Sequence, residues 1–154
     1  MKMASCSFTA KEAECKSTMV PNWLELLREI TANILQRLDT IEIVKSACQV
    51  CPLWWDICKD PLLWRTIHIR IPCMSLIHFN YQDLTRICCY AVERSCGHLE
   101  DINIEYSVTD ELLEFIAENG RNLRCMRIFG LQLSDKGFIE ALRKLPQLEE
   151  VDIS

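Results

Sequence analysis

Apolar positions change rhythm along this chain. From Leu26 onward, Leu26, Leu27, Ile30, Ile34, Leu35 and Leu38 recur at steps of three and four, with Arg28, Glu29, Asn33 and Arg37 between them. That spacing predicts an amphipathic helix of about three to four turns. Asn22 with Glu25 three positions on has the form of a capping box at its start. Asp39 and Thr40 break the pattern and open a second helix carrying Ile43, Val44, Ala47 and Cys48. This helix is expected to run to about Cys51, because Pro52 has no N–H to donate and suits the first turn of a third helix. Trp54, Trp55, Ile57 and Cys58 load that third helix, and Asp60 and Pro61 cap a short turn through Trp64. Residues 21–64 thus form a predicted helical domain, too small to be held by its own core and in need of a neighbour. Residues 1–20 are polar and without periodicity, and are expected to be a disordered leader.

Beyond residue 64 the apolar positions repeat at a longer period. Leu99, Ile102 and Ile104 match Leu123, Met126 and Ile128, which match Leu148, Val151 and Ile153; the steps from Leu99 to Leu123 and from Leu123 to Leu148 are 24 and 25 residues. Between them, Val108-Thr109-Asp110 matches Leu133-Ser134-Asp135, and in each the Asp is expected to cap a helix. Those helices carry Leu112, Leu113, Ile116 and Ala117, then Phe138, Ala141, Leu142 and Leu145. A degenerate earlier strand at Trp64, Ile67 and Ile69 precedes a helix of Leu84, Ile87, Cys88, Ala91 and Val92. An L-x-x-L-x-L strand followed by a helix at this period is the leucine-rich-repeat signature. Each unit buries its apolar edge only by stacking on the next. The fold class expected is therefore α/β: three amino-terminal helices, then over 65–154 a short solenoid of about three repeats of parallel strands plus helices. The last repeat stops after its strand, so the array reads as truncated at the carboxyl end.

Charge narrows the classes of partner. Lys and Arg number 17 against 22 Asp and Glu, a net charge of -5, where binding of nucleic acid or of an anionic membrane needs clustered positive charge. No stretch reaches the ~18 uncharged apolar residues of a membrane span. The first twenty residues have no continuous apolar core and do not read as a secretory signal. Nucleus or cytoplasm is the expected location, with the 10 cysteines as reduced thiols.

Cys48 and Cys51, with Cys58 and His68, admit a zinc or redox reading, but the spacing fits no familiar zinc module. Two small thiols sharing a helix face in a core explain the same letters. Cys88 and Cys89 are neighbours about 100° apart on a helix, one inward and one outward. His68, His78 and His98 lack a nucleophile motif, and only 4 glycines are present, without a phosphate loop. No catalytic residue, metal or cofactor is assigned. Of the four tryptophans, Trp64 is expected in the core, with Trp54 and Trp55 undecided between core and interface.

Residues 22–64 resemble the F-box. The matching pieces are Leu26, Ile30, Ile34-Leu35, Leu38-Asp39, Val50-Cys51 with a Trp three residues on, and Asp60-Pro61-Leu62-Leu63-Trp64. With the repeats that follow, the chain resembles plant F-box/LRR-repeat proteins of the Skp-interacting-partner class. The stretch from Cys48 to Trp55 is particularly like that group, and Cys96-Gly97-His98-Leu99 is similar to the cysteine-containing repeat subtype. Two departures stand out: Leu27 replaces the usual Pro of Leu-Pro, and Pro52-Leu53 replaces the basic pair after Val-Cys. Both imply weaker adaptor binding. The resemblance implies a non-catalytic substrate receptor whose F-box binds a Skp-type adaptor, and through it a cullin–RING ubiquitin ligase. The repeats would hold an unidentified protein substrate. Adaptor contacts are expected from Leu26, Leu27, Ile30, Ile34, Leu35, Val50 and Trp54. The alternatives are a repeat scaffold that binds protein without promoting ubiquitylation, and the zinc or redox protein above.

The outward strand positions run acid, base, acid: Glu100, Asp101, Asn103 and Glu105; then Arg124, Arg127 and Phe129; then Glu149, Glu150 and Asp152. Two readings stay open. The charges pair across strands, or Glu105, Arg124, Arg127 and Phe129 form a substrate surface.

Overall fold

The structure, a computed structural model, describes residues 23–71 and 80–154. The expected leader, the Asn22 cap and His78 lie outside the described residues. The first helix, α1, is Trp23–Leu35. Asp39 then caps α2, Thr40–Lys45: its carboxylate accepts from Ile41 N at 2.9 Å, and its own N–H donates to Glu42 Oε2 at 3.1 Å. The pair is Asp39 with Glu42 three positions on, the spacing of a capping box, at the break the apolar pattern marks. The second helix is shorter than expected. It stops at Lys45, and a single 3₁₀ turn, Ala47–Gln49, follows. Pro52 disfavours helical angles at the residue before it, and Cys51 is extended (φ −162, ψ 168) at the start of α3, Pro52–Cys58. Asp60 caps the 3₁₀ turn Pro61–Arg65 by accepting from Leu62 N at 3.0 Å.

Four strands follow in one parallel sheet, in sequence order: β1 Thr66–Ile69, β2 Asp101–Thr109, β3 Cys125–Gln132 and β4 Glu150–Ile153. Between them run α4 Tyr81–Arg94, α5 Asp110–Asn119 and α6 Asp135–Arg143. The L-x-x-L-x-L register holds across the sheet, with Ile67, Ile102, Met126 and Val151 in one row and Ile69, Ile104, Ile128 and Ile153 in the next. The inward residues of β2 and the helix positions Leu84, Ile87, Cys88, Ala91, Val92, Leu112, Leu113, Ile116 and Ala117 are buried. The chain is thus an α/β protein in which an amino-terminal helical part leads into strand–helix repeats.

The two parts share one core. The buried cluster runs from Leu35, Ile41 and Ile57 through Trp64 into Ile67 and on to Leu145. Trp64 is 1% exposed, donates its indole N–H to the Cys58 carbonyl at 2.8 Å, and meets Tyr90 edge-on at 6.0 Å. The start of α2 also covers the outer edge of β1: Thr40 Oγ1 accepts from His68 N at 3.0 Å and Asp39 Oδ2 from Arg70 N at 3.1 Å. An edge strand's free N–H groups are an aggregation hazard, and here the helical part occupies two of them.

The repeat helices are capped by Thr109 and Ser134, one residue before the expected Asp positions: Thr109 Oγ1 accepts from Leu112 N and Ser134 Oγ from Gly137 N. Asp110 has a different task. Its carboxylate accepts from Ser134 N at 2.9 Å and from Ser134 Oγ at 2.6 Å, tying one repeat's helix start to the next. Gly137 permits that approach, since a Cβ there would stand 2.6 Å from Asp110 Cγ. The Ser134 hydroxyl and N–H hold the Asp110 carboxyl below its ordinary value of 3.8. A carboxyl depressed in the folded state stabilises above its unfolded pKa, and that contribution is lost as pH falls through the folded value. Asp110→Asn is therefore expected to lower stability at pH 7 while losing less than the parent chain on going to pH 3. Urea unfolding at the two pH values checks this; equal acid losses in both would contradict it.

Candidate functional site

The helical part leaves large apolar side chains in solvent. Leu27, Ile30 and Ile34 are 49%, 47% and 48% exposed. Their i, i+3, i+7 spacing makes them one stripe along α1. An apolar stripe on an outer helix face is the form in which a helix is offered to a partner's groove. Arg28 beside it is ion-paired with Asp56 of α3 at 2.6 Å, a surface link between α1 and α3. Val50 is exposed at the turn into α3.

The other expected adaptor residues part from this stripe. Leu35 is wholly buried, a core residue in place of the contact expected of it, because it lies about 100° around α1 from the exposed Ile34, on the side that meets the core. Leu26 is half-buried, and Trp54 packs partly buried against the core. Trp55 is the more exposed of the tryptophan pair, with Lys59 Nζ and the Arg94 guanidinium each 5.5 Å from its ring centroid. Leu62, within the Asp60–Trp64 stretch that resembles the F-box but outside the expected adaptor contacts, is also exposed, at 48%. It follows the Asp60-Pro61 cap directly, in a 3₁₀ turn whose three-residue repeat sets Leu62 and Arg65 outward and Leu63 and Trp64 inward.

On the sheet, the outward charges pair across strands. Arg127 Nη2 meets Asp101 Oδ2 at 3.1 Å, Arg124 meets both Glu149 oxygens at 3.0 and 3.3 Å, and Glu105 lies between His68 Nε2 at 3.3 Å and Arg70 Nε at 3.5 Å. Donating hydrogen bonds to the Glu149 and Asp101 carboxylates raises the two arginines above their ordinary value. Phe129, 38% exposed, stands on the same strand. All these pairs are on the surface, where such bridges contribute little. Charge reversal of Arg124 and Arg127 together is expected to leave one cooperative unfolding transition, slightly lowered, and adaptor co-purification intact. Loss of the folded state in circular dichroism would show instead that the pairs hold the sheet.

Among the described cysteines, Cys48, Cys58 and Cys88 are placed as packing residues. Cys48 and Cys58 are both buried, and burial, with the neighbouring Cys48 thiol, pushes Cys58 up to about 12. Cys51 is extended and half-buried, so it does not share a helix face with Cys48. Cys88 is buried and Cys89 half-buried, one inward and one outward as the helix geometry required. Among the described residues no group of three His, Cys, Asp or Glu side chains is placed to hold a metal ion.

The architecture and the exposed helix stripe define a class, an F-box-like domain leading into leucine-rich repeats. Residues 25–70 match the family model described as F-box-like, which reaches past Trp64 to take in β1. F-box protein SKIP19 of Arabidopsis thaliana is 45% identical over 134 residues, covering 86% of this chain and 43% of that protein. F-box/LRR-repeat protein 9 of the same plant is 39% identical over 155 residues, covering 99% of this chain and 63% of the relative. F-box/LRR-repeat protein 23 is 37% identical over 98% of this chain and 33% of its own length. The chain belongs with the plant F-box/LRR-repeat proteins, and spans between a third and just under two thirds of these relatives.

Proposed function

We propose that this chain is the substrate-receptor subunit of an SCF-type ubiquitin ligase. Its F-box-like domain binds a Skp-type adaptor, and its repeats hold the protein to be ubiquitylated. The observation that carries this reading is the exposed stripe of Leu27, Ile30 and Ile34 within the stretch that matches the F-box-like family. Val50 and the partly buried Leu26 and Trp54 extend the adaptor-binding set. In this role the chain makes and breaks no bond; it brings a substrate to the enzyme that does.

The test is co-purification of the full chain with a Skp adaptor. Stoichiometric recovery supports the receptor role, and failure of a soluble, folded chain to bind removes it. Reconstitution with cullin and RING subunits then separates a receptor from a scaffold. A receptor promotes ubiquitin transfer to a protein bound on its repeats, whereas a scaffold binds the adaptor and supports no transfer.

A further inference from the structure

The sheet opens at one place. Up to Ile104, paired with Ile128, β2 and β3 run in step; then the three-residue advance to Ser107 is matched by the single step to Phe129, and Thr109 is paired with Gln132. Irregularities of this kind re-aim side chains and are over-represented beside binding sites. Here the break opens a cleft of about 790 Å³ between the carboxyl ends of β2 and β3 and the first turns of α4, within the size range of ligand sites.

Two polar atoms in this cleft are unpartnered. Tyr106, only 4% exposed, and Ser107 both carry buried hydroxyl oxygens with no hydrogen-bond partner among the described residues. The Thr85 hydroxyl beside Tyr106 donates to the Tyr81 carbonyl at 3.0 Å and is the neighbouring side chain able to accept from the phenol, without forming a hydrogen bond of good geometry to it. Leaving such groups unpaired costs stability, and a bound acceptor would remove that cost. Among neutral polar side chains the rim sets two large apolar ones in solvent: Tyr81 is 62% and Leu131 85% exposed. Its one charge is the guanidinium of Arg86, which makes no ion pair among the described residues, and no carboxylate lines the cleft. In a chain of 22 acidic residues, that is a local reversal of sign.

We infer that this cleft is a recognition site for a protein segment that presents an aromatic or branched apolar side chain next to a carboxylate. The apolar group would lie against Tyr81 and Leu131, the carboxylate against Arg86, and a backbone or carboxylate oxygen would accept from Tyr106, whose side chain lies on the helix side of β2. That the occupant is a protein rests on the substrate-receptor reading; the cleft's chemistry does not.

The test is selection of a random heptapeptide phage library on the purified full chain, followed by binding of the winning peptide to Arg86→Glu and Tyr106→Phe. Enriched sequences are expected to carry an aromatic or branched residue beside Asp or Glu. Arg86→Glu should weaken the peptide about tenfold or more, since a charged hydrogen bond is lost and a like charge gained. Tyr106→Phe should weaken it roughly two- to tenfold while leaving the thermal midpoint unchanged or raised, because only an unpaired hydroxyl is removed. A merely structural tyrosine would show the opposite pattern. No enrichment, enrichment of basic peptides, or equal binding by both variants would overturn the inference. So would saturation of the cleft by benzoate with no peptide bound, which would make the occupant a small free acid. Adaptor co-purification is read separately on the same variants. Peptide binding without adaptor binding would keep the cleft and remove the ligase role, and the reverse result would do the opposite.

Discussion

Trp64→Ala is expected to destabilise the chain by about 3–5 kcal/mol, the range for truncating a buried tryptophan. Three losses coincide there. The indole is 1% exposed, so its removal leaves a cavity; its N–H satisfies the Cys58 carbonyl at 2.8 Å; and its ring meets Tyr90 edge-on. A domain of ordinary stability has only about 5–15 kcal/mol in total. Because Trp64 lies where the helical core runs into the first strand, both halves should lose stability together. Denaturant unfolding followed by far-ultraviolet circular dichroism and by hydrogen exchange in each half measures this. A loss confined to one half, or a shift under about 1 kcal/mol, would show that the two parts do not depend on this contact. Trp64→Phe keeps the ring and removes the N–H, and is expected to fall between the parent chain and the alanine variant.

The neighbouring pair Ile34 and Leu35 should give opposite results. Ile34→Asp places a charge on an exposed position, so stability should change by no more than about 0.5 kcal/mol, while adaptor affinity falls by at least about thirtyfold if the residue is a hot spot. Leu35→Ala should do the reverse, costing about 2–5 kcal/mol of stability and leaving the binding of the remaining folded chain close to normal. Aspartate at position 35 would not serve, because an unpaired buried charge unfolds the domain and loses binding for that reason. The readouts are adaptor titration and chemical denaturation of both variants. Two variants that fail in the same way would remove the stripe from the adaptor interface.

How legible this was depends on how narrow each apolar pattern is. In β2 and β3, one side of each strand is apolar and the other charged, so Ile102, Ile104, Met126 and Ile128 could face only inward, and they do. In α1, Leu26, Leu27, Ile30, Ile34 and Leu35 cover too wide an arc for the spacing to fix its rotation. The phase came from tertiary packing, which buried Leu35 and left Ile34 out. At the helix starts, Thr109-Asp110 and Ser134-Asp135 each offer two adjacent caps, and sequence alone does not rank a hydroxyl above a carboxylate whose partner lies 24 residues away in Ser134. The opening at Ser107 left no trace, because Tyr106 and Val108 continue the inward alternation through the register break.

The alternation of charge across the strands also bears on how they can lie side by side. A one-residue slip of β3 against β2 would turn Arg127 inward and Ile128 outward, which burial forbids. A two-residue slip keeps the apolar rows inward, so hydrophobicity alone does not prevent it. What such a slip must break is the pairing of Arg127 with Asp101 and, on the other side of β3, that of Arg124 with Glu149. The charges thus act as a vernier on the register, and salt that shortens their reach would relax that choice.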